Sequence, residues 1–210
     1  MAPGIYKTFK KSLKDNLDKY LDYSSDEESY KEGIKSRINY IMNLKPEMLD
    51  SCLCYTTEND ESKFNLNSIS NTIIENSVKD TERQCYQAME GIVHNLNTLH
   101  SRAGAQVPFS SLNLGTDISN AGRMVTKNLL LAMEAGLGNG ETAIFPIVIF
   151  KVKEGVNYFP EDPNYDLLQL SYRVTAKRLF PNYVFLDSPF NLQYYKPGHP
   201  ETEIATMGEF

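Results

Sequence analysis

Residues 143–152 read AIFPIVIFKV, and this nearly unbroken run of apolar and β-branched side chains decides the fold class. A strand with one wet face alternates apolar with polar residues, whereas a run without alternation suits a strand covered on both faces of a parallel sheet. Pro146 lacks a backbone N–H and predicts a bulge or an unpaired position within that strand. Working outward, Ser119 predicts the cap of a helix over 120–134, which Gly136 ends in the left-handed conformation. Before it, AQVPFSSLNL (residues 105–114) has strand composition and stops at the turn signal Gly115-Thr116-Asp117. On the other side, Asp162 and Pro163 predict the start of a helix with Leu167, Leu170, Val174 and Leu179 along one side. YVFLD (183–187) then reads as a third strand, and the proline-rich loop SPFNLQYYKPGHPE leads to IATMG (204–208), the start of a fourth. Strand, helix, strand, helix, strand implies right-handed parallel crossovers, hence an α/β fold. An open Rossmann-like sheet and a piece of a barrel both fit that order.

Upstream, Ile5, Phe9, Leu13, Leu17 and Leu21 recur every four residues and predict an amphipathic helix from Pro3 to Tyr23. Residues 24–63 carry the polar runs SSDEESYKEG and TTENDESK around a short apolar patch at Ile38, Ile41 and Leu44, a variable excursion with one or two short helices. From Ile69 to Leu99 the spacing of Ile73, Val78, Cys85, Met89, Ile92, Leu96 and Leu99 predicts a long helix. It ends in HNLNTLHSRAGAQ, which gathers Asn95, Asn97, His100, Ser101, Arg102 and Gln106. A core helix does not normally collect such groups, so something polar is expected to be held there.

With a net charge of -6, the chain lacks the basic excess that a polymeric nucleic-acid partner needs. Lys7, Lys10, Lys11 and Lys14 alternate with apolar residues and read as a solvated helix face. No run is long enough to span a membrane, and MAPGIYKTF has no signal-peptide core. Cys52, Cys54 and Cys85 form no even-numbered framework, which suits a reducing, cytoplasmic setting. They have no matching ligand pair at zinc spacing, so no metal site is expected.

Gly136, Gly138 and Gly140 resemble a phosphate-binding loop only in composition. Such loops join a strand to a helix N-terminus, and here the order is reversed, so a helix stop and tight turn is the better reading. Ser110 and Ser111 lack the strand-to-helix elbow of a hydrolase nucleophile. Among Glu161, Asp162 and Asp166, helix capping accounts for Asp162 more simply than acid–base chemistry. Arg102 and Arg123 could each hold an anion or pair with a nearby carboxylate.

Four strings go further: YQAMEGIVHNLNTLHSRAGAQVPFSSLNLGTD (86–117), GRMVTKNLLLAMEAGLGNGETAIFPIVIFKVKEGVNY (122–158), DPNYDLLQLSYRVTAKRLFPNYVFLD (162–187) and ETEIATMG (201–208). In order and spacing they resemble the catalytic subunit of anaerobic (class III) ribonucleoside-triphosphate reductases, and MAPGIYKTFKKSL resembles a helix of that family. The resemblance implies a ten-stranded α/β barrel, similar to that of pyruvate formate-lyase, around a finger loop. It implies a glycyl radical made by a radical-SAM activase, a thiyl radical acting on a ribonucleoside triphosphate, a four-cysteine zinc site, formate as reductant, nucleotide effectors and a homodimer. Residues 1–77 would then be a helical segment with a polar insertion, and 78–210 part of a half-barrel. In the family the string ATMG is followed by the thiyl cysteine, whereas here Glu209 and Phe210 follow Gly208. No catalytic residue is therefore carried over, and the chain is expected to be an internal piece, inactive and self-associating in isolation. A non-catalytic interaction or complementation module is the alternative. By the same resemblance Gln106, Ser110, Ser111, Asn113, Met207 and Gly208 lie near the barrel interior, where they touch substrate or support the backbone.

Overall fold

The computed structural model describes residues 3–26, 28–56, 68–99 and 107–206. Two compact units emerge: Met1–Cys85 with Ser119–Gly122, and Tyr86–Ile118 with Arg123–Phe210.

The first unit is helical. Helix α1 (Pro3–Tyr23) buries Ile5, Phe9, Leu13 and Leu17, the expected stripe at four-residue spacing. Helix α2 (Glu28–Met42) contributes Ile34, Ile38 and Ile41, and the short helix α3 (Pro46–Leu49) contributes Leu49. A 3-10 segment, Asp50–Thr56, follows, so the excursion is more ordered than its polar composition suggests. Helix α4 (Ser68–Thr98) adds Ile73, Ile74 and Val78 from its N-terminal part. Small polar residues let the helices approach: Asn16 donates to Ser77 Oγ at 3.2 Å and to Asp80 Oδ2 at 3.0 Å.

Asp50 has a long-range task. Its carboxylate accepts the backbone N–H of Asn120 (2.8 Å) and of Ala121 (3.0 Å), while Ser119 Oγ accepts Gly122 N–H at 3.1 Å. The open amides at the start of helix α5 (Asn120–Ala135) are thus met by the expected Ser119 and by an acid seventy positions upstream. Tyr6 steadies that acid by donating to Asp50 Oδ1 at 2.9 Å.

The second unit holds a parallel three-stranded sheet in the order β1 (Ser111–Leu114), β2 (Ile147–Val152), β3 (Asn182–Phe185). Leu112 pairs with Val148 and Leu114 with Phe150; on the far side Phe150 pairs with Tyr183 and Val152 with Phe185. The three expected strands therefore lie side by side, joined by α5 and by helix α6 (Tyr165–Arg178), as the strand-helix alternation requires. Central β2 is buried on both faces, as its continuous apolar run predicts: Val148, Ile149, Phe150 and Val152 are each at most 3% exposed.

Val148, Phe150 and Val152 point to one face, and α4, α5 and α6 pack there. Val148 packs with Val93 of α4 and Leu129, Ala132 and Met133 of α5. Phe150 and Val152 pack with Leu130 of α5 and Leu167, Leu168 and Val174 of α6. Tyr183 closes the β3 side, its hydroxyl within 3.1 Å of Ser171 Oγ and 2.7 Å of Thr175 Oγ1.

Several boundaries differ from the sequence reading. Pro146 lies just before β2 instead of within it, after a cis Phe145–Pro146 bond, so the strand starts at Ile147. Asp162 does not cap α6; its carboxylate accepts the N–H groups of Tyr158 and Phe159 at 2.8 Å each, and Asn164 occupies the cap position. Leu179 is not core. It ends α6 in the left-handed conformation, φ 65°, and is 89% exposed, while Ser171 takes a place on the buried face. Residues 203–206 form no strand, and 207–208 lie outside the described residues.

Phe150→Ala should remove a side chain wedged between two helices and cost about 3–5 kcal/mol, read as a lower urea midpoint. Asp50→Ala should cost about 1–2 kcal/mol through loss of the distal cap, with the helical far-UV signal largely retained.

Candidate functional site

Because neighbouring residues of a strand face opposite ways, the face away from the helices carries Ser111 and Asn113 of β1, Ile147, Ile149 and Lys151 of β2, and Asn182 and Val184 of β3. It is the polar face of the sheet. Lys151 is only 9% exposed, a charge placed where the strand pattern supplies otherwise apolar groups.

The segment after the short 3-10 turn Pro200–Thr202 lies against this face. Lys151 Nζ donates to Glu203 Oε1 at 3.0 Å and Lys153 Nζ to Oε2 at 3.3 Å. Asn113 Nδ2 donates to the Thr206 carbonyl at 2.9 Å. Partial burial works against ionisation of Glu203, but the hydrogen bonds and charges of Lys151 and Lys153 outweigh it and hold the carboxyl below the usual range. Lys153 also sits 5.1 Å from the centre of the Tyr195 ring. A small cavity of about 30 Å³ adjoins it, walled in part by Asp187, Asn191 and Tyr195.

Two buried atoms of the segment that carries β1, Asn113 Oδ1 on this face and Ser110 Oγ on the other, have no hydrogen-bond partner among the described residues. The Asn113 amide is oriented: turning it over would set its oxygen against the Thr206 carbonyl. Its Oδ1 is therefore a buried acceptor of fixed direction that has no donor among the described residues.

Of the residues singled out for substrate contact, the structure brings Ser111 and Asn113 onto one face, both half-buried. Ser110 falls on the opposite side by alternation, and its carbonyl accepts the Ile147 N–H at 2.8 Å. Gln106, Met207 and Gly208 lie outside the described residues. Lys151 and Glu203 escaped the sequence reading. The signal was there in Lys151, a single charge inside the run IVIFKV.

Other polar clusters turn out to serve the backbone. Asn97 donates to the carbonyls of Val93 and Phe145, each at 2.6 Å, and accepts the N–H groups of Ile144 (2.8 Å) and Phe145 (3.0 Å). What the polar string at the end of α4 holds is thus, for Asn97, the chain leading into β2; His100, Ser101 and Arg102 are outside the described residues. Arg123 pairs with Asp166 at 2.7 Å and also donates to Asn164 Oδ1 and the Pro163 carbonyl, which resolves its two readings in favour of the carboxylate. Asn157 and Asn164, both fully buried, donate to the Gly115 carbonyl at 3.1 and 3.0 Å and lock the loops at the carboxyl ends of the strands.

The glycine cluster is a turn. Gly136 has φ 82°, and a Cβ there would come within 2.4 Å of the Glu141 carbonyl oxygen. Arg178 fastens the same turn, donating to the carbonyls of Glu134, Ala135 and Gly140. Gly115, directly after β1, is required because a Cβ there would lie 2.7 Å from the Lys151 carbonyl oxygen. Among the described residues no three His, Cys, Asp or Glu side chains come together as metal ligands, and no helix is long and apolar enough to cross a membrane. Cys52 and Cys85 are buried thiols on helical elements.

Fold and face together define an α/β protein built on parallel strands with one helix-covered and one polar side. The chain belongs to the anaerobic ribonucleoside-triphosphate reductase family, whose model matches residues 8–209. It is 37% identical over 108 residues to the anaerobic ribonucleoside-triphosphate reductase of Salmonella typhimurium and 36% identical over 108 residues to that of Escherichia coli K12. The enzyme of the same name from Enterobacteria phage T4 is 39% identical over 105 residues. These matches cover 51%, 51% and 50% of this chain but only 15%, 15% and 17% of the relatives.

Gly136→Ala should force the turn open and cost more than the ~1 kcal/mol that a glycine-to-alanine change ordinarily alters. Thermal unfolding of the variant would show a clear drop in midpoint, with Gly138→Ala, where a Cβ meets open space, as the neutral control.

Proposed function

We propose that this chain forms part of the wall of a ten-stranded glycyl-radical barrel in an enzyme that reduces ribonucleoside triphosphates to deoxyribonucleoside triphosphates. The observation that carries the proposal is the one-sided sheet. Helices α4, α5 and α6 pack on the Val148–Phe150–Val152 face, as on the outside of a barrel, and the opposite face carries Ser111 and Asn113, whose Oδ1 has no donor among the described residues. In this reading residues 1–77 are the helical segment and 78–210 the barrel portion. Asn113 Oδ1 and the Ser111 hydroxyl meet donors on the bound nucleotide, with Ser110, Gln106, Met207 and Gly208 lining or supporting the same interior. Apolar Ile147 and Ile149 keep water from that face.

The radical chemistry of the family needs a glycyl radical, raised by a radical-SAM activase, and a thiyl cysteine, with formate as reductant. Cys52, Cys54 and Cys85 lie on helical elements of the first unit and match neither of the family's radical-cysteine positions, so in this reading the groups that carry the radical and the zinc come from other parts of the enzyme. What these residues contribute is orientation: a rigid sheet, an acceptor of fixed direction and a dry surround. Nucleotide effectors and a second copy of the subunit act on the intact enzyme in the same reading, within a cytoplasmic setting. Alone, the chain is inactive and self-associates through the outer edges of β1 and β3.

The test is a graft. Residues 107–206 replace the matching segment of the Escherichia coli relative, the chimera is activated anaerobically, and deoxynucleotide formation is followed beside the glycyl-radical signal. Asn113→Ala should lower kcat/KM about tenfold, the effect of one lost hydrogen bond of ~1.4 kcal/mol, while leaving the radical signal intact. Full turnover by a combined Ser111→Ala, Asn113→Ala variant would defeat the assignment of this face to substrate.

A further inference from the structure

The reading above gives Asn113 a ligand-facing acceptor but leaves Lys151, Lys153 and Glu203 without a task. We infer that Lys151, Lys153 and Glu203, with the Asn113 amide N–H, form a two-point clasp that fixes residues 203–206 across the polar face of the sheet, making Lys151 and Glu203 positioning residues. One point is ionic: a single carboxylate shared by two lysines, 3.0 and 3.3 Å away, on alternate residues at the end of β2. The other is the 2.9 Å hydrogen bond from Asn113 Nδ2 to the Thr206 carbonyl. Between them run Ile204 and Ala205, which make no ladder or helix hydrogen bond with another described residue. The hydrogen bonds and ion pairs described for this stretch come from side chains, with Ile204 beside Leu186 and Leu192 at the adjoining cavity.

Geometry makes the clasp more than a surface ion pair. Lys151 is nearly buried and the Glu203 side chain is 19% exposed, so the pair is shielded and each partner has few alternatives. The second point also sets the site. By donating to Thr206, the Asn113 amide gains its fixed orientation, and with it the direction of Oδ1. Holding the segment and aiming the acceptor are therefore one act. The bearing on catalysis rests on the proposed substrate face, but the clasp itself can be tested without turnover.

The groups facing Glu203 are Lys151 and Lys153 from β2 and its extension, with Asp187 and Tyr195 around the adjoining cavity; His199 and Glu201, on its own segment, pair with each other at 2.8 Å. Because Glu203 is more acidic folded than unfolded, the clasp is fully formed above the unfolded carboxyl range and is lost as pH falls through the lowered folded value.

Backbone ¹⁵N relaxation on the 210-residue chain reads this directly. In the wild type the heteronuclear NOE at residues 203–206 should be as high as at Val148–Val152; Glu203→Gln should lower it at 203–206 while β2 keeps its value. Lys151→Met is the discriminating variant. A methionine of similar length fills the same space, so if packing alone held the segment the NOE at 203–206 would stay at the wild-type level; the clasp predicts its loss, and Lys151→Arg retains it. Lowering the pH through the lowered carboxyl range of Glu203 should release 203–206 in the wild type before β2, and should have no added effect in Glu203→Gln. Should Glu203→Gln loosen the fold throughout, Lys153→Met, at the more exposed end of the clasp, gives the answer by a partial, local fall in the NOE. An unchanged NOE at 203–206 in Lys151→Met, or values of an unstructured peptide there in the wild type, overturns the inference.

Discussion

Packing of Val148, Phe150 and Val152 of β2 against α4, α5 and α6 is the contact on which the sheet-bearing unit depends. A lone three-stranded parallel sheet has little to hold it in water, because its crossovers are long and its ladders weaker than antiparallel ones. Here a single row of three alternate side chains reaches two apolar clusters at once, and Leu114 and Phe180 touch both. Burial of this kind is the main favourable term in folding, and it also fixes register. A slip of one residue would turn Lys151 into the helices and Phe150 away from them.

With one face committed to the helices, the other carries the polar groups Ser111, Asn113, Lys151 and Asn182. The polar groups around the sheet divide accordingly. Asn97, Asn157 and Asn164 spend their amides on backbone that has no ladder of its own, and Arg123 and Arg178 fasten turns and helix ends. These are the groups that a search by residue type alone flags as functional, and their hydrogen bonds show them to be structural. Asn113 differs because only half of its amide is used. Satisfaction of hydrogen bonds, more than the presence of polar residues, separates the candidate site from the scaffold.

Membership of the reductase family accords with this division. The matched portion is a small part of each relative, and within it the scaffold and the candidate face are already distinct. The helical unit follows the same economy in a different way, using Asp50 and Ser119 to satisfy the first amides of α5.

The amino-acid sequence by itself determined the elements: α1 from its four-residue apolar repeat, the long α4, and β2 from a run with no alternation. It also determined their parallel order, since strands separated by helices can return only in one direction, and the four strings that mark the family. Local pattern carries that information because burial of a helix stripe or a strand run is written in neighbouring residues. Asp50 at the start of α5, Asp162 turned away from α6, Leu179 left exposed, and Lys151 paired with Glu203 were decided only by tertiary structure. Each depends on a partner or a backbone angle that lies beyond the reach of local spacing. Hydrogen bonds and ion pairs are short-ranged in space but indifferent to separation along the chain, so their partners become known only once the chain has folded.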